Sequence, residues 1–240
     1  MNRLPSLPQS PVKHLKTTGI ILSRTDYGEA DRIITLLTPD HGKLRLMARG
    51  VRKAKSKLAG GIELFSVSDI SFIAGRGEIG TLISSRLRQH YGQIVQQIER
   101  VQTGYDLVKM LNKATEDHPE AEYFTLLEQT FAVLNDQGIG LQLISTWFTA
   151  QLLKLAGHSP NLQTDTTGAK LDPSKTYNFD YDAMAFTPSP RGAFKAAHVK
   201  TLRLLFNQTI EVLAKVEGLD AVLIKLEPAV HNMAQIHIRS

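Results

Sequence analysis

The stretch KLRLMARGVRKAKSK, Lys43 to Lys57, decides how the N-terminal part of the chain is read. Its first half alternates. Leu44, Leu46 and Ala48 fall on one side of an extended strand, and Lys43, Arg45, Met47 and Arg49 fall on the other. Such a strand buries one face in a core and shows a row of cations to water. Its second half, Arg52 to Lys57, has no apolar periodicity and reads as a flexible loop that keeps Arg52, Lys53, Lys55 and Lys57 outside. Seven cations in 15 positions, with no acid among them, exceed what is needed to blunt a sheet edge against aggregation. Donors held at intervals on a strand beside a basic loop suit a run of phosphates.

Outward from this stretch the texture is β. Ile20–Leu22, Ile33–Leu37, Leu44–Val51, Phe65–Ile73 and Thr81–Leu87 are short apolar or β-branched runs. Between them lie Asp26-Tyr27-Gly28, Pro39-Asp40-His41-Gly42, Gly60-Gly61 and Gly75-Arg76-Gly77, all turn signals. Five short strands without a helical pattern predict a small closed barrel. Arg86 and Arg88 share one face of the last strand and extend the basic track, and Arg24 joins the candidate contacts from the first. Asp26, Glu29 and Asp31 lie between Arg24 and Arg32 and read as partners in local ion pairs rather than metal ligands. Gly75 to Gly80 matches G-x-G-x-x-G, but a strand follows where a dinucleotide site needs a helix, so it reads as a hairpin turn.

After Tyr91-Gly92 the period changes. Ile94, Ile98, Val101, Tyr105 and Val108, then Phe124, Leu127, Phe131 and Leu134, then Leu141, Ile144, Phe148, Leu152 and Leu155 step by three and four. These are three amphipathic helices, with Pro119 near the start of the second and Gly157 after the third. Two more are expected at about 194–206 and 217–233. The boundary therefore falls near residue 90. Residues 1–16, with Pro5, Pro8 and Pro11, read as a flexible arm. Residues 157–193, with four prolines, read as an irregular insertion, either a functional loop or a small sub-fold.

Composition narrows the classes. The chain has 240 residues, 42% apolar and 21% charged, enough to bury a core. No run approaches the ~18 apolar residues of a membrane helix. The N-terminus has no apolar signal region, so a cytoplasmic protein is expected. With no cysteine, disulfides, thiol catalysis and thiolate metal sites are excluded. Residues 1–92 carry 15 Lys/Arg against 7 Asp/Glu, and residues 93–240 carry 13 against 16. This places a basic module ahead of a mildly acidic one. No phosphate-binding loop, nucleophile elbow or zinc-protease pair is present, the histidines are scattered, and neither a metal nor a cofactor is expected. The reading is of a binding protein rather than an enzyme.

At this point a resemblance emerges. Gly19-Ile20-Ile21-Leu22, Asp26-Tyr27-Gly28-Glu29-Ala30-Asp31-Arg32-Ile33-Ile34-Thr35-Leu36, His41-Gly42-Lys43 and Ala48-Arg49-Gly50-Val51-Arg52-Lys53, with Lys55-Ser56-Lys57-Leu58, strongly resemble the RecO family of bacterial recombination mediators. The likeness is close over residues 17–90 and looser beyond, where Leu152 to Pro160 and Gly192-Ala193 look like family landmarks. It implies an α+β chain: a five-stranded OB-fold barrel at 17–90, then a helical domain at 91–240. It implies binding of single- and double-stranded DNA and annealing of complementary strands without ATP. Its implied partners are RecR, the C-terminal tail of single-stranded-DNA-binding protein and, indirectly, RecA; the implied location is the nucleoid. Relatives carry two cysteine pairs in the region equivalent to 157–192. Here Thr164 to Gly168 and Thr187 to Pro190 stand in their place, which implies a zinc-finger-like module without its metal.

For the acidic tail of the single-stranded-DNA-binding protein, the candidate surface is a basic-rimmed groove between amphipathic helices, with Trp147, Lys154 and Arg203 as its markers. An OB-fold RNA-binding or translation-associated protein is the alternative. A nucleotide-dependent enzyme has only the discounted glycine triplet in its favour.

Overall fold

In a computed structural model, the residues described are 14–75, 77–115 and 121–238. The chain divides into two units, Met1–His90 and Tyr91–Ser240.

The first unit is built from β1 (His14–Tyr27), β2 (Asp31–Thr38), β3 (Gly42–Ala48), β4 (Ser66–Ile73) and β5 (Ile79–His90). They hydrogen-bond in the order β1-β2-β3-β5-β4, and β4 returns to β1, so the sheet closes into a barrel. All contacts are antiparallel except the β3–β5 seam, which is parallel. This is the strand order of an OB fold. Ile34, Leu36, Leu46, Ala48, Ile62 and Ile70 fill the interior. At the seam Gly80 faces Leu46, and a Cβ there would lie 2.7 Å from the Ile73 carbonyl oxygen and 2.8 Å from Leu46 Cδ2. Only glycine lets the closing strand approach this far.

One expectation changes. The first strand is much longer than Ile20–Leu22: His14, Leu15 and Lys16, expected in the arm, pair with Ile73, Phe72 and Ser71. The rest of the arm, residues 1–13, lies outside the described residues. The register of β1 shifts between Ile21 and Ser23, and Ile20, Ile21 and Leu22 are all buried. The irregularity hides the alternation that would have marked a long strand. β4 and β5 pair antiparallel around the glycine triplet, with a strand following it; Arg76 lies outside the described residues.

The second unit begins with α1 (Ile98–Ala114), α2 (Ala121–Leu134) and α3 (Leu141–Leu155). Pro119 lies outside the described residues. Then come β6 (Asn161–Asp165), β7 (Tyr177–Asp180), β8 (Ala185–Pro188), α4 (Ala196–Asn207), α5 (Ile210–Leu213) and α6 (Leu219–His237). The central element is α3, which buries Ile144, Trp147, Phe148, Leu152 and Leu153 and packs against α1, α2, α4 and α6. Of the two readings of 157–193, the small sub-fold is the one present, as a three-stranded sheet in the order β6-β8-β7. Its core is aromatic: Phe186 meets Tyr177, Phe179 and Phe194 edge-on at 5.9, 5.2 and 5.7 Å. Edge-to-face rings at these separations stabilise a small sheet. No described helix is long and apolar enough to cross a membrane.

Candidate nucleic-acid interface

Residues paired directly across strands share a face. The register therefore sets Ser23, Thr35 and Arg45 in one row across β1, β2 and β3. Thr25, Ile33 and Met47 form the next, and Tyr27 and Asp31 the one after. Arg45 and Tyr27 are exposed, while the intervening row, Ile34 with Leu46, is buried. These rows thus form the outer surface of the β1–β2–β3 wall. Arg49 follows the end of β3 and is exposed.

The loop after β3 is a chain of hydrogen-bonded turns rather than the flexible loop expected. The Gly50 N–H donates to Asp31 Oδ1 at 2.7 Å, and the Arg52 N–H donates to the Ala30 carbonyl at 2.9 Å. The Lys53 and Ser56 N–H groups donate to the carbonyls of Gly50 and Lys53. Gly50 sits at φ 65°, a left-handed position that suits glycine. Val51 is buried as an anchor. The loop is thereby tied to the β1–β2 hairpin, and Arg52, Lys53, Lys55 and Lys57 are exposed on it.

The predicted cations differ in what holds them. Arg49, Lys53, Lys55 and Lys57 have no ion-pair partner among the described residues. Arg45 lies 3.6 Å from Glu78, and Arg52 lies 3.5 Å from Asp26. Asp26 also accepts from Arg32 Nε at 2.7 Å. That hydrogen bond, with the charges of Arg52, Arg32 and Arg24, holds its carboxyl below the usual range. Of the local pairing expected for this acidic turn, Asp26 with Arg32 forms; Arg24 pairs with Glu63 instead, and Asp31 takes the Gly50 N–H.

Three predicted residues stand apart from the row. Arg24 pairs in register with buried Ile34, the face opposite Arg45, and donates to Glu63 at 2.8 Å. Arg86 is level with Asp69, seven residues along β5 from Ile79, or about 23 Å. Arg88 is skipped in the pairing as a bulge residue and reaches Asp69 at 3.9 Å and Thr18 at 3.3 Å. Arg86 and Arg88 make a separate basic spot on the β4–β5 wall. Lys43 is half-buried, in a row with buried Leu37 and Ile20. Tyr27, Glu78 and the Asp26–Arg52 pair are what sequence reasoning did not place. Only Tyr27 had a signal, as an aromatic beside a turn glycine.

The markers of the expected partner groove are occupied within the fold. Trp147 is 3% exposed, and its indole N–H donates to the Gln208 carbonyl at 3.1 Å. Gln151 and Lys154, on the same face of α3, donate to the carbonyls of Leu205 and Phe206 at 2.6 and 3.0 Å. Together they satisfy the free carbonyls at the end of α4. Arg203 points elsewhere, donating from Nε and Nη2 to the Leu162 carbonyl at 2.9 and 2.6 Å. The three residues do not converge. Open depressions lie instead between α1, α3 and α6. One of about 460 Å³ is lined by Leu107, Met110, Thr149 and Pro228. A neighbour of about 380 Å³ is lined by Lys109, Lys113 and Asp106 with Met110, Ala234 and Ile238. Among the described residues no three histidines or carboxylates gather as metal ligands.

A five-stranded OB barrel with a basic outer face, joined to a helical unit carrying a small sheet, defines the class. The chain belongs to the recombination protein O family: the profile described as "Recombination protein O N terminal" matches residues 12–91, and "Recombination protein O C terminal" matches residues 104–239. It is similar to the DNA repair protein RecO of Halalkalibacterium halodurans, 32% identical over 148 residues that cover 61% of this chain and 58% of that protein. RecO of Rhodopirellula baltica is 33% identical over 151 residues, 62% of this chain and 55% of that protein. RecO of Synechococcus elongatus is 37% identical over 155 residues, 60% and 54%. The chain thus matches less than two thirds of the length of each of these relatives.

Proposed function

We propose that this chain is a DNA repair and recombination mediator that holds nucleic acid on the outer face of its barrel. The observation that carries this reading is the cation row. Arg45 lies on the outer surface of the wall, Arg49 follows in the turn after β3, and Lys53, Lys55 and Lys57 continue on a loop pinned to the neighbouring hairpin. Cations on a braced surface meet phosphates without first having to be ordered. Family membership and the printed names of the relatives supply the biological setting.

In this reading the chain binds single- and double-stranded DNA and acts by binding, not by covalent catalysis. It anneals complementary strands without ATP, because base pairing drives the reaction and the protein screens phosphate repulsion. With RecR it helps RecA onto strands coated by single-stranded-DNA-binding protein. The acidic, apolar-ended tail of that protein fits the depression beside Lys109 and Lys113 better than the α3 face around Trp147, which the fold already uses. The location proposed is the cytoplasm, at the nucleoid.

The test is annealing of complementary strands coated with the single-stranded-DNA-binding protein of the same organism. Acceleration without ATP or added divalent metal is expected. An absolute ATP requirement contradicts the reading. Tight binding to RNA of equal length with no annealing favours the RNA-binding alternative.

A further inference from the structure

Tyr27 ends β1 at the tip of the β1–β2 hairpin with 56% of its surface in water. Thr25 and Ser23, its neighbours on the same face, are polar, so the fold does not need an aromatic there. Among the described residues it has no hydrogen bond and no ring partner. Its position is nevertheless fixed. Gly28 turns the hairpin at φ 57°, Tyr27 pairs with Asp31, and the Asp31 carboxylate takes the Gly50 N–H. Arg52 binds the same tip twice, through its N–H to Ala30 and its Nη1 to the Gly28 carbonyl at 3.4 Å. Tyr27 therefore sits, on the outer face, at the hairpin tip to which the basic loop is tied. The adjacent row holds half-buried Ile33 and Met47, and Arg45 lies in the row beyond.

We infer that Tyr27 is a stacking platform for an unpaired base, and that it gives the barrel a preference for single strands over duplex. The inference rests on the proposed nucleic-acid reading and adds what the cations alone do not. Phosphate contacts are available on any strand and carry no information about pairing. The flat face of a base is open in a single strand and covered by its neighbours in a duplex. An exposed ring braced beside phosphate-binding cations is the arrangement by which single strands are held without sequence preference.

The experiment uses the full chain with three labelled probes at one salt concentration: oligothymidylate, an abasic strand of the same length, and a duplex. Tyr27→Ala should weaken oligothymidylate binding by roughly 5- to 100-fold, the effect of one stacked base. The abasic strand and the duplex should bind as before, with the salt dependence unchanged. Tyr27→Phe keeps the ring and should retain wild-type binding. Wild-type oligothymidylate affinity in Tyr27→Ala, or an equal loss on the abasic strand, would overturn the inference and leave the cation row standing. If the unaltered chain binds none of the probes, the nucleic-acid reading itself fails, and this inference with it.

Discussion

Leu46→Ala tests the phase of β3, on which both the core and the cation row depend. Leu46 is 1% exposed, pairs with Ile34 on one side and lies against Gly80 on the other. Removing three buried carbons forfeits about 2 kcal/mol of transfer free energy. The walls around the gap are strands of a closed barrel, which relax little, so a cavity contribution of about 1–2 kcal/mol adds to it. The expected loss is about 3–4 kcal/mol. Arg45→Ala removes a largely exposed side chain whose ion pair with Glu78 lies at 3.6 Å. Such a pair contributes under about 1 kcal/mol. The sole tryptophan sits in the helical unit, so its fluorescence does not report on the barrel. The assay is urea unfolding followed by hydrogen exchange in peptides from β2 and β3. The reasoning is refuted if Leu46→Ala protects those amides as well as wild type while Arg45→Ala exposes them.

Glu78→Gln and Asp26→Asn should each tighten single-strand binding about 2- to 5-fold, because these carboxylates compete with phosphate for Arg45 and Arg52. Glu29→Gln, an acid on the same hairpin outside these pairs, should do less in the same titration. Burial, with Lys225 nearby, lowers the pKa of His198 below 6.5, and its Nδ1 accepts the Lys195 N–H. The unfolded imidazole therefore protonates first, and stability should fall as pH drops through about 6.5 toward the folded value. Thermal melts at pH about 7.5 and 5.5 should show a drop that His198→Asn reduces; an undiminished drop would assign the effect to another group. Chelator should leave the melt unchanged and metal analysis should find no stoichiometric zinc, since Tyr177, Phe179, Phe186 and Phe194 already form the core of the small sheet.

The barrel was legible because its strands alternate and its turns carry glycine, aspartate and proline signals at short intervals. Strand limits were not, since β1 mixes polar outward residues with a register shift that buries three apolar neighbours in a row. The small sheet was legible only as a sub-fold set against a loop, because it pairs few residues and holds itself through widely spaced rings. In the candidate site, Arg45, Arg49 and the loop cations follow from local pattern alone. Their carboxylate partners do not: Glu78 reaches Arg45 across the parallel seam, and Asp26 reaches Arg52 from another hairpin. The same blindness misread Trp147 and Lys154. Nothing in α3 announces that the last carbonyls of α4 stand opposite them.

The central claim is that the braced cation row binds phosphate. Its most direct test is the salt dependence of single-strand binding in the wild-type chain and in a variant with Arg52, Lys53 and Lys55 all changed to Ala. If about five cations touch phosphate, log affinity should fall with log salt at a slope near −3.5, from roughly −0.7 per contact. The triple variant should show a slope shallower by about 2, weaker binding to all sequences alike, and a melt little changed, because Lys53 and Lys55 are exposed and Arg52 gives up only surface contacts to Asp26 and the Gly28 carbonyl. Wild-type affinity and slope in the triple variant would contradict the account.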